Sequence, residues 1–445
     1  MKRRVQKWAV AALVAMAVSC QEAPTPSSGP ARDSAAIWQK VFTPPEQCQP
    51  CHPDHYREWA MSMHAYAVVD PVFHSMNALG QQQTGGRLGQ FCIACHSPAA
   101  TLLNEAPDGI IRKPLSPHSR GGVTCVTCHA AVEQVPGHGI TRFRFDGVMS
   151  GTVLDPLPND FHGSVYDRRF GQSEVCAGCH DVINPRGFRV EETFTEWKNS
   201  LYPARDLPCQ ACHMKWVREP IVPGGPIRRR HTHVMEGVDV PLTPHFPGRE
   251  ETIALIQYAL ENALIVTIES PLVASRRQPL VVLVNLFNQT VGHNIPSGTI
   301  FERQMWVEFI ATNERGDTLY ASGLLDPNGD LRTTGSEYVE RGLLPRDTAL
   351  ALFNGTAFRH GRPIEFFFDA DAVLNRTIPP FESRIARYTL LPATLRDAQE
   401  VRLNVRVLFR PFPPYFLRKL GHHDLVSRVP IFTMKTVTET VRLQD

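Results

Sequence analysis

Cys48-Gln49-Pro50-Cys51-His52 decides how this chain is read, because its form returns four more times. The repeats are Cys92-Ile93-Ala94-Cys95-His96, Cys125-Val126-Thr127-Cys128-His129, Cys176-Ala177-Gly178-Cys179-His180 and Cys209-Gln210-Ala211-Cys212-His213. At this composition such a pentapeptide is expected by chance ~0.01 times in the chain. Cys-X-X-Cys-His is the attachment signature of c-type haem. Its spacing follows from the chemistry: two thiols reach the two vinyl groups of one porphyrin, and the next residue sets an imidazole nitrogen on the iron. The expectation is five haem c groups, held through the ten cysteines, with His52, His96, His129, His180 and His213 as proximal iron ligands. Five disulfides in an exported chain, or four-cysteine zinc sites, would use the same cysteines. Neither requires a histidine after every second cysteine, yet all five motifs have one.

Of 18 histidines, 13 remain to serve as second axial ligands. Pro53 is placed to open a helix in which Tyr56, Trp59 and Met63 recur at helical spacing through Ala65. Twelve helical residues rise ~18 Å, so His64 is out of reach of the iron held by His52 and is expected to serve another haem. His55 lies one turn from His52, on the same side of that haem, and is read as structural or exposed. His162 precedes the fourth motif and is a second candidate. His138 competes with His118 for a third place, and His231 with His233 for a fourth. His293 sits in a Gly- and Pro-containing loop between two expected strands, from whose rim it could project onto a haem and complete the set. Met61, Met63 and Met214 are read as packing.

The 445 residues suffice for two or three domains, and a hydrophobic share of 42% excludes disorder as a description of the whole. Charge is balanced, 46 Lys and Arg against 44 Asp and Glu, which argues against nucleic acid as a partner. Lys2, Arg3, Arg4 and Lys7 precede an apolar run from Trp8 to Val18, too short to span a bilayer and suited to a signal peptide. Ala17-Val18-Ser19-Cys20 resembles a lipobox, so residues 1–19 are expected to be a signal peptide of lipoprotein type, with lipid on Cys20. Residues 20–36, rich in Pro, Ser, Ala and Gly, read as a flexible tether. The expected location is periplasmic or cell-surface, anchored to the outer membrane.

Residues 37–245 carry one motif per ~33 residues, too little chain to bury five porphyrins in an ordinary core. The haems themselves must be the core, wrapped in short helices and loops. One internal echo stands out: Glu58-Trp59-Ala60-Met61-Ser62 and Glu196-Trp197-Lys198-Asn199-Ser200 each follow a haem motif. Beyond residue 245 the texture changes. A helix is expected near Thr252–Ala263. Strands are expected at Leu264–Glu269, Leu280–Leu286, Met305–Ala311, Ile385–Leu391, Val401–Phe409 and Ile431–Val441. The fold class is therefore α+β: an irregular, short-helical pentahaem domain, then an all-β, immunoglobulin-like sandwich over residues 246–445.

Cys48 to Ala65, Gly122-Val123-Thr124-Cys125, Ser173-Glu174-Val175-Cys176, Thr195-Glu196-Trp197 to Ser200, and Cys209-Gln210-Ala211-Cys212-His213-Met214 together resemble the exported multihaem cytochromes of the cytochrome c-554 type. The resemblance implies electron transfer and no defined substrate. Relatives often have a histidine with Gly four residues on after the last motif, which fits His233 with Gly237 and not His231. They also often carry a C-terminal β-domain with a segment like Val291-Gly292-His293-Asn294-Ile295-Pro296-Ser297-Gly298. The expected function is a five-haem electron relay in an extracytoplasmic respiratory chain. Its partners would be other redox proteins or membrane quinol-oxidising complexes, and an oligomer is left open. An electron carrier is favoured over a substrate-converting enzyme. The alternatives are an oxidoreductase acting on a small nitrogen or sulfur oxyanion at one open-faced haem, and a subunit of an extracellular conductive assembly. Pentahaem nitrite reductases have an active-site motif ending in Lys, whereas all five motifs here end in His.

Overall fold

A computed structural model describes residues 42–445. The expected signal segment, Cys20 and the tether lie outside the described residues. Up to about residue 245 the chain forms short helices joined by turns and small two-stranded ladders. The longest of these helices, Pro71–Thr84, starts with Asp70 capping Val72 N at 2.9 Å and Pro71 in the first turn, and stops at Gly85 in the left-handed conformation. The helix expected over Pro53 to Ala65 is in fact two, Pro53–Ala60 and Met63–Tyr66. Ser62 divides them: its hydroxyl accepts from Ala65 N at 3.4 Å and starts a new turn. Buried apolar clusters in this region are small, such as Phe42, Ala99, Val126, Ala130, Ala131 and Phe143.

The remainder is two packed sheets with a helix, Arg249–Glu261, leading in. We number the sandwich strands β1 (Leu264–Glu269), β2 (Val273–Ser275), β3 (Leu280–Asn288), β4 (Gln304–Thr312), β5 (Thr318–Ser322), β6 (Leu352–Phe353), β7 (Ser383–Leu390), β8 (Glu400–Arg410) and β9 (Phe432–Gln444). One sheet has the order β2-β9-β8-β4-β5, with β6 also on β4; the other is β7-β3-β1. Strands pair antiparallel except β2 with β9. Alternation explains the packing: Leu280, Val282, Val284 and Leu286 of β3 point inward, as do Val401, Leu403, Val405 and Val407 of β8. Each such side chain contributes roughly 1.5–3 kcal/mol on burial. Short, half-exposed β2, β5 and β6 escaped the sequence reading, as did a separate ladder of Gly355–Arg359 with Arg362–Ile364 and Ala372–Asn375.

The two regions share a core. Val72, Met76, Leu88, Val190 and Leu242 pack with Phe367, Phe368, Phe412 and Phe416, and Val240 joins the sandwich interior. Among the described residues no helix is long and apolar enough to cross a membrane.

Candidate haem site

Each motif is a local solution to one geometric problem. Cys125–His129 and Cys209–His213 are single helical turns, and Ile93–His96 completes the turn begun at Cys92. Residues three apart share a helix face, so both sulfurs of a motif point the same way. Thr124 and Thr127 close the third motif with a capping box. All ten cysteines and all five proximal histidines line one cavity of about 2080 Å³, at least twice the usual size of a small-molecule pocket.

The rings across this cavity come in pairs. His52 faces His162 with centroids 6.4 Å apart, His180 faces His64 at 6.1 Å, His129 faces His233 at 6.2 Å and His213 faces His293 at 6.2 Å. Two metal–nitrogen bonds of about 2 Å, extended to the ring centres, span about 6 Å. Interplanar angles are 22°, 21° and 16° for the pairs of His52, His129 and His213, and 55° for that of His180.

The ring nitrogens are also oriented. A carbonyl oxygen only accepts, so Nδ1 must carry the proton where it meets one. His52 donates to Ile221 O (3.2 Å), His96 to Ala67 O (2.8 Å), His129 to Ser150 O (2.6 Å) and His213 to Glu236 O (2.5 Å). Across the cavity His162 donates to Gly163 O (2.9 Å), His233 to His231 O (3.1 Å) and His293 to Asn294 O (2.8 Å), while His64 Nδ1 meets Met235 Sδ at 2.7 Å. Such bonds leave Nε2 free with its lone pair outward, the tautomer that a metal takes. Burial, and secondarily the neighbouring His180, pushes His64 down to about 3; burial and His213 push His293 down to about 4. Both are therefore neutral, as iron ligation requires. The residues present fit haem c.

His293 belongs to the sandwich. Asn288, at the end of β3 and fully buried, shapes its loop: Nδ2 donates to His293 O and to Ile378 O, both at 3.0 Å, and Oδ1 accepts from Val291 N at 3.1 Å.

His96 is different. Its ring stacks on Phe73 (4.2 Å, 14°), and among the described residues it is paired with no histidine ring at the 6.1–6.4 Å of the other four. His138, expected to complete the set, lines the same cavity, with no proximal ring paired with it at the distance of the other four. It sits at the tip of a turn flanked by Gly137 and Gly139, both at positive φ, and its side chain is exposed. That turn is fixed by Gly139 N donating to Gly178 O (2.8 Å) and by Ile183, which fills the space a side chain at 137 would need. His118 lies off the cavity, donating to Phe42 O (2.6 Å). His231 donates to Met214 O (2.5 Å) and faces no proximal ring. His55 sits half-buried and edge-on between His52 and His233, where desolvation, and then Arg230, push it down to about 3.

The motifs also have a spatial order. The thiols of Cys48 and Cys125 lie within interaction range of each other, as do those of Cys95 and Cys179 and those of Cys176 and Cys209. Cys128 lies within electrostatic range of Cys176 and Cys179. The attachment sites therefore run first, third, fourth, fifth, with the second branching from the fourth.

Sequence reasoning missed a group of carboxyls on the cavity wall. Arg303 holds Asp239 through two bonds of 2.6 and 2.8 Å. Glu302, 8% exposed, is pushed up to about 8 by burial, with Glu191, Asp239 and Asp70 adding and Arg303 opposing. Burial likewise raises Glu191 and Asp70 to about 7. No motif marks these residues; only the fold assembles them.

Five attachment motifs, paired imidazoles and a shared cavity define a multihaem c-type cytochrome, an electron-transfer protein with a C-terminal β domain. Residues 47–130 match the family model of cytochrome c554 and c-prime. The fold is that of the penta-heme cytochrome c552 from Thermochromatium tepidum: TM-score 0.62 at 19% identity, covering 90% of this chain and 100% of that one. A red sea bream transglutaminase overlaps 49% of this chain and 21% of its own at 7% identity, with a TM-score of 0.19 that carries no argument. No curated protein matches the sequence.

Proposed function

We propose that the chain carries five covalent haems and relays electrons outside the cytoplasm. Four irons would be held between two histidines: His52 with His162, His180 with His64, His129 with His233 and His213 with His293. The single observation that carries this reading is the set of four ring pairs at 6.1–6.4 Å. Haem iron supplies the one-electron chemistry. The chain's own residues fix the tautomers, exclude water and line up the attachment sites, and a pair of histidines leaves an iron no room for substrate. An anchor at Cys20 and exchange with redox proteins or quinol-oxidising complexes belong to the same proposal. The test is denaturing mass spectrometry for five haem masses, with low-temperature EPR of the oxidised protein. Four low-spin irons and one high-spin iron are expected; four or fewer haems after full maturation would refute the reading.

A second reading has its own observation. His96 stacks on Phe73 and is paired with no histidine ring at the distance of the other four, so the second site would keep one face open to a small ligand. Under this reading the protein is an oxidoreductase at that site, and the reduced protein binds carbon monoxide at one iron in five.

A further inference from the structure

The two Glu-Trp echoes make equivalent contacts at different sites. Trp59 Nε1 donates to Val123 O at 2.8 Å, and Trp197 Nε1 donates to Leu207 O at 3.0 Å. Val123 and Leu207 each stand two residues before the first cysteine of a motif, Cys125 and Cys209. Glu58 Oε2 accepts from His233 N at 2.8 Å. Glu196 Oε2 accepts from Asn294 N at 3.2 Å, next to His293, and from Ser297 Oγ at 2.6 Å. His233 is the ring opposite His129 of the third motif, and His293 the ring opposite His213 of the fifth. Each Glu-Trp pair thus holds the proximal segment of one site with its indole and the distal segment of the same site with its carboxylate. Chance contacts would have no reason to converge twice on the two sides of one site.

We infer that Glu58-Trp59 and Glu196-Trp197 are two copies of an axial clamp, each positioning both histidines of one haem, the third and the fifth respectively. The inference rests on the ligand pairs proposed above. Physical differences between the copies support a shared role over shared surroundings. Glu58 is buried and gripped by both Nη atoms of Arg230 at 2.9 and 3.0 Å. Glu196 has no such cation and bonds only the loop it holds. Gly292, beside His293, lies so close to Trp197 that a side chain there would touch the indole at 3.4 Å, so the second clamp grips the loop from two sides. Neither residue touches iron; both act through the segments they hold.

The test uses the full-length, haem-loaded protein, with haem number counted first and carbon monoxide binding of the reduced form as readout. Glu196→Ala should raise the carbon-monoxide-binding irons from one in five toward two in five, as His293→Ala does. Glu196→Gln, which keeps an acceptor oxygen, should restore the original fraction; a merely structural role would show no such rescue tied to one haem. In a His293→Ala background Glu196→Ala should add nothing, because both act on one ligand. Independent addition would overturn the clamp. A silent Glu196→Ala beside an active His293→Ala would overturn the clamp alone, whereas a silent His293→Ala would overturn the ligand pairing with it. The first clamp is tested the same way with Glu58→Ala against His233→Ala. If Glu58→Ala does not fold, Trp59→Phe, which removes only the N–H, should open the third site, and no change there would refute the duplication.

Discussion

His293→Ala is the sharpest perturbation of the whole arrangement, because it reaches a haem site from the other region of the molecule. Its magnitude follows from the geometry. The imidazole lies 6.2 Å from that of His213 with its Nδ1 on Asn294 O. The loop's backbone is held by others: Asn288 bonds His293 O, and Glu196 bonds Asn294 N. Truncation therefore forfeits one ring hydrogen bond, about 1 kcal/mol, and leaves the sandwich folded. The iron opposite His213 loses its sixth ligand. With His96 the one proximal histidine not paired at this ring distance, the open irons are expected to go from one in five to two in five, a doubling of the carbon-monoxide-binding fraction with haem number unchanged. Titrating the reduced protein with carbon monoxide, and counting high-spin signals in the oxidised form, measures this directly. An unchanged fraction would refute His293 as a ligand. Point substitution is the right tool: a chain cut near residue 245 would strip Val240 and Leu242 of the apolar neighbours they share with the sandwich and the Phe367–Phe368 cluster.

His64→Ala should open the fourth site, which is attached through Cys176 and Cys179, and not the first, despite being closest in sequence to His52. The EPR signal that disappears should be the one whose anisotropy differs from the other low-spin irons, since this pair's rings are twisted by 55° against 16–22° elsewhere. Glu302 gives a pH effect of defined sign. Its folded-state value of about 8 lies above the ordinary carboxyl value of about 4.3, so its contribution to stability is fully present below ~4.3 and is lost as pH rises toward 8. Glu302→Gln should flatten the pH dependence of the unfolding free energy measured between pH 5 and 9 by an amount on the order of a few kcal/mol; equal slopes in both proteins would remove Glu302 from the account. Leu286→Ala, at a fully buried position of β3, should cost ~2–5 kcal/mol in chemical denaturation while leaving the haem count at five.

Legibility in the sequence followed the range of the interactions. Attachment motifs are five residues long and spell their chemistry locally, and the strongly alternating strands β3, β4 and β8 were readable for the same reason. His64, His162, His233 and His293 were legible as candidates from their surroundings. Which proximal histidine each would face was not, because the His180 partner lies 116 positions away in the chain and the His213 partner 80 away. His138, read as a candidate, sits on a turn of the cavity wall pinned by Gly178 and Ile183 and pairs with no proximal ring at the distance of the other four. The helix run through Ala65 ignored the capping tendency of Ser62. The Glu-Trp echo was visible as a pattern, but its meaning lay in contacts made up to 175 residues away.

On the proposed pairing of His213 with His293, the shared loop would also impose an order on how the protein is made. All five attachment motifs leave the ribosome before residue 293 does, so haem can be joined to every cysteine pair while the fifth site still lacks its ring from the sandwich. That ring arrives only when β3 and β4 have paired with their neighbours and the connecting loop has been drawn against Glu196. Until then the fifth iron would stand with a free coordination position, open to oxygen or any small ligand in its compartment. On this proposal a molecule whose β-sandwich misfolds would stay in that condition and bind carbon monoxide at one more iron than one that has finished folding.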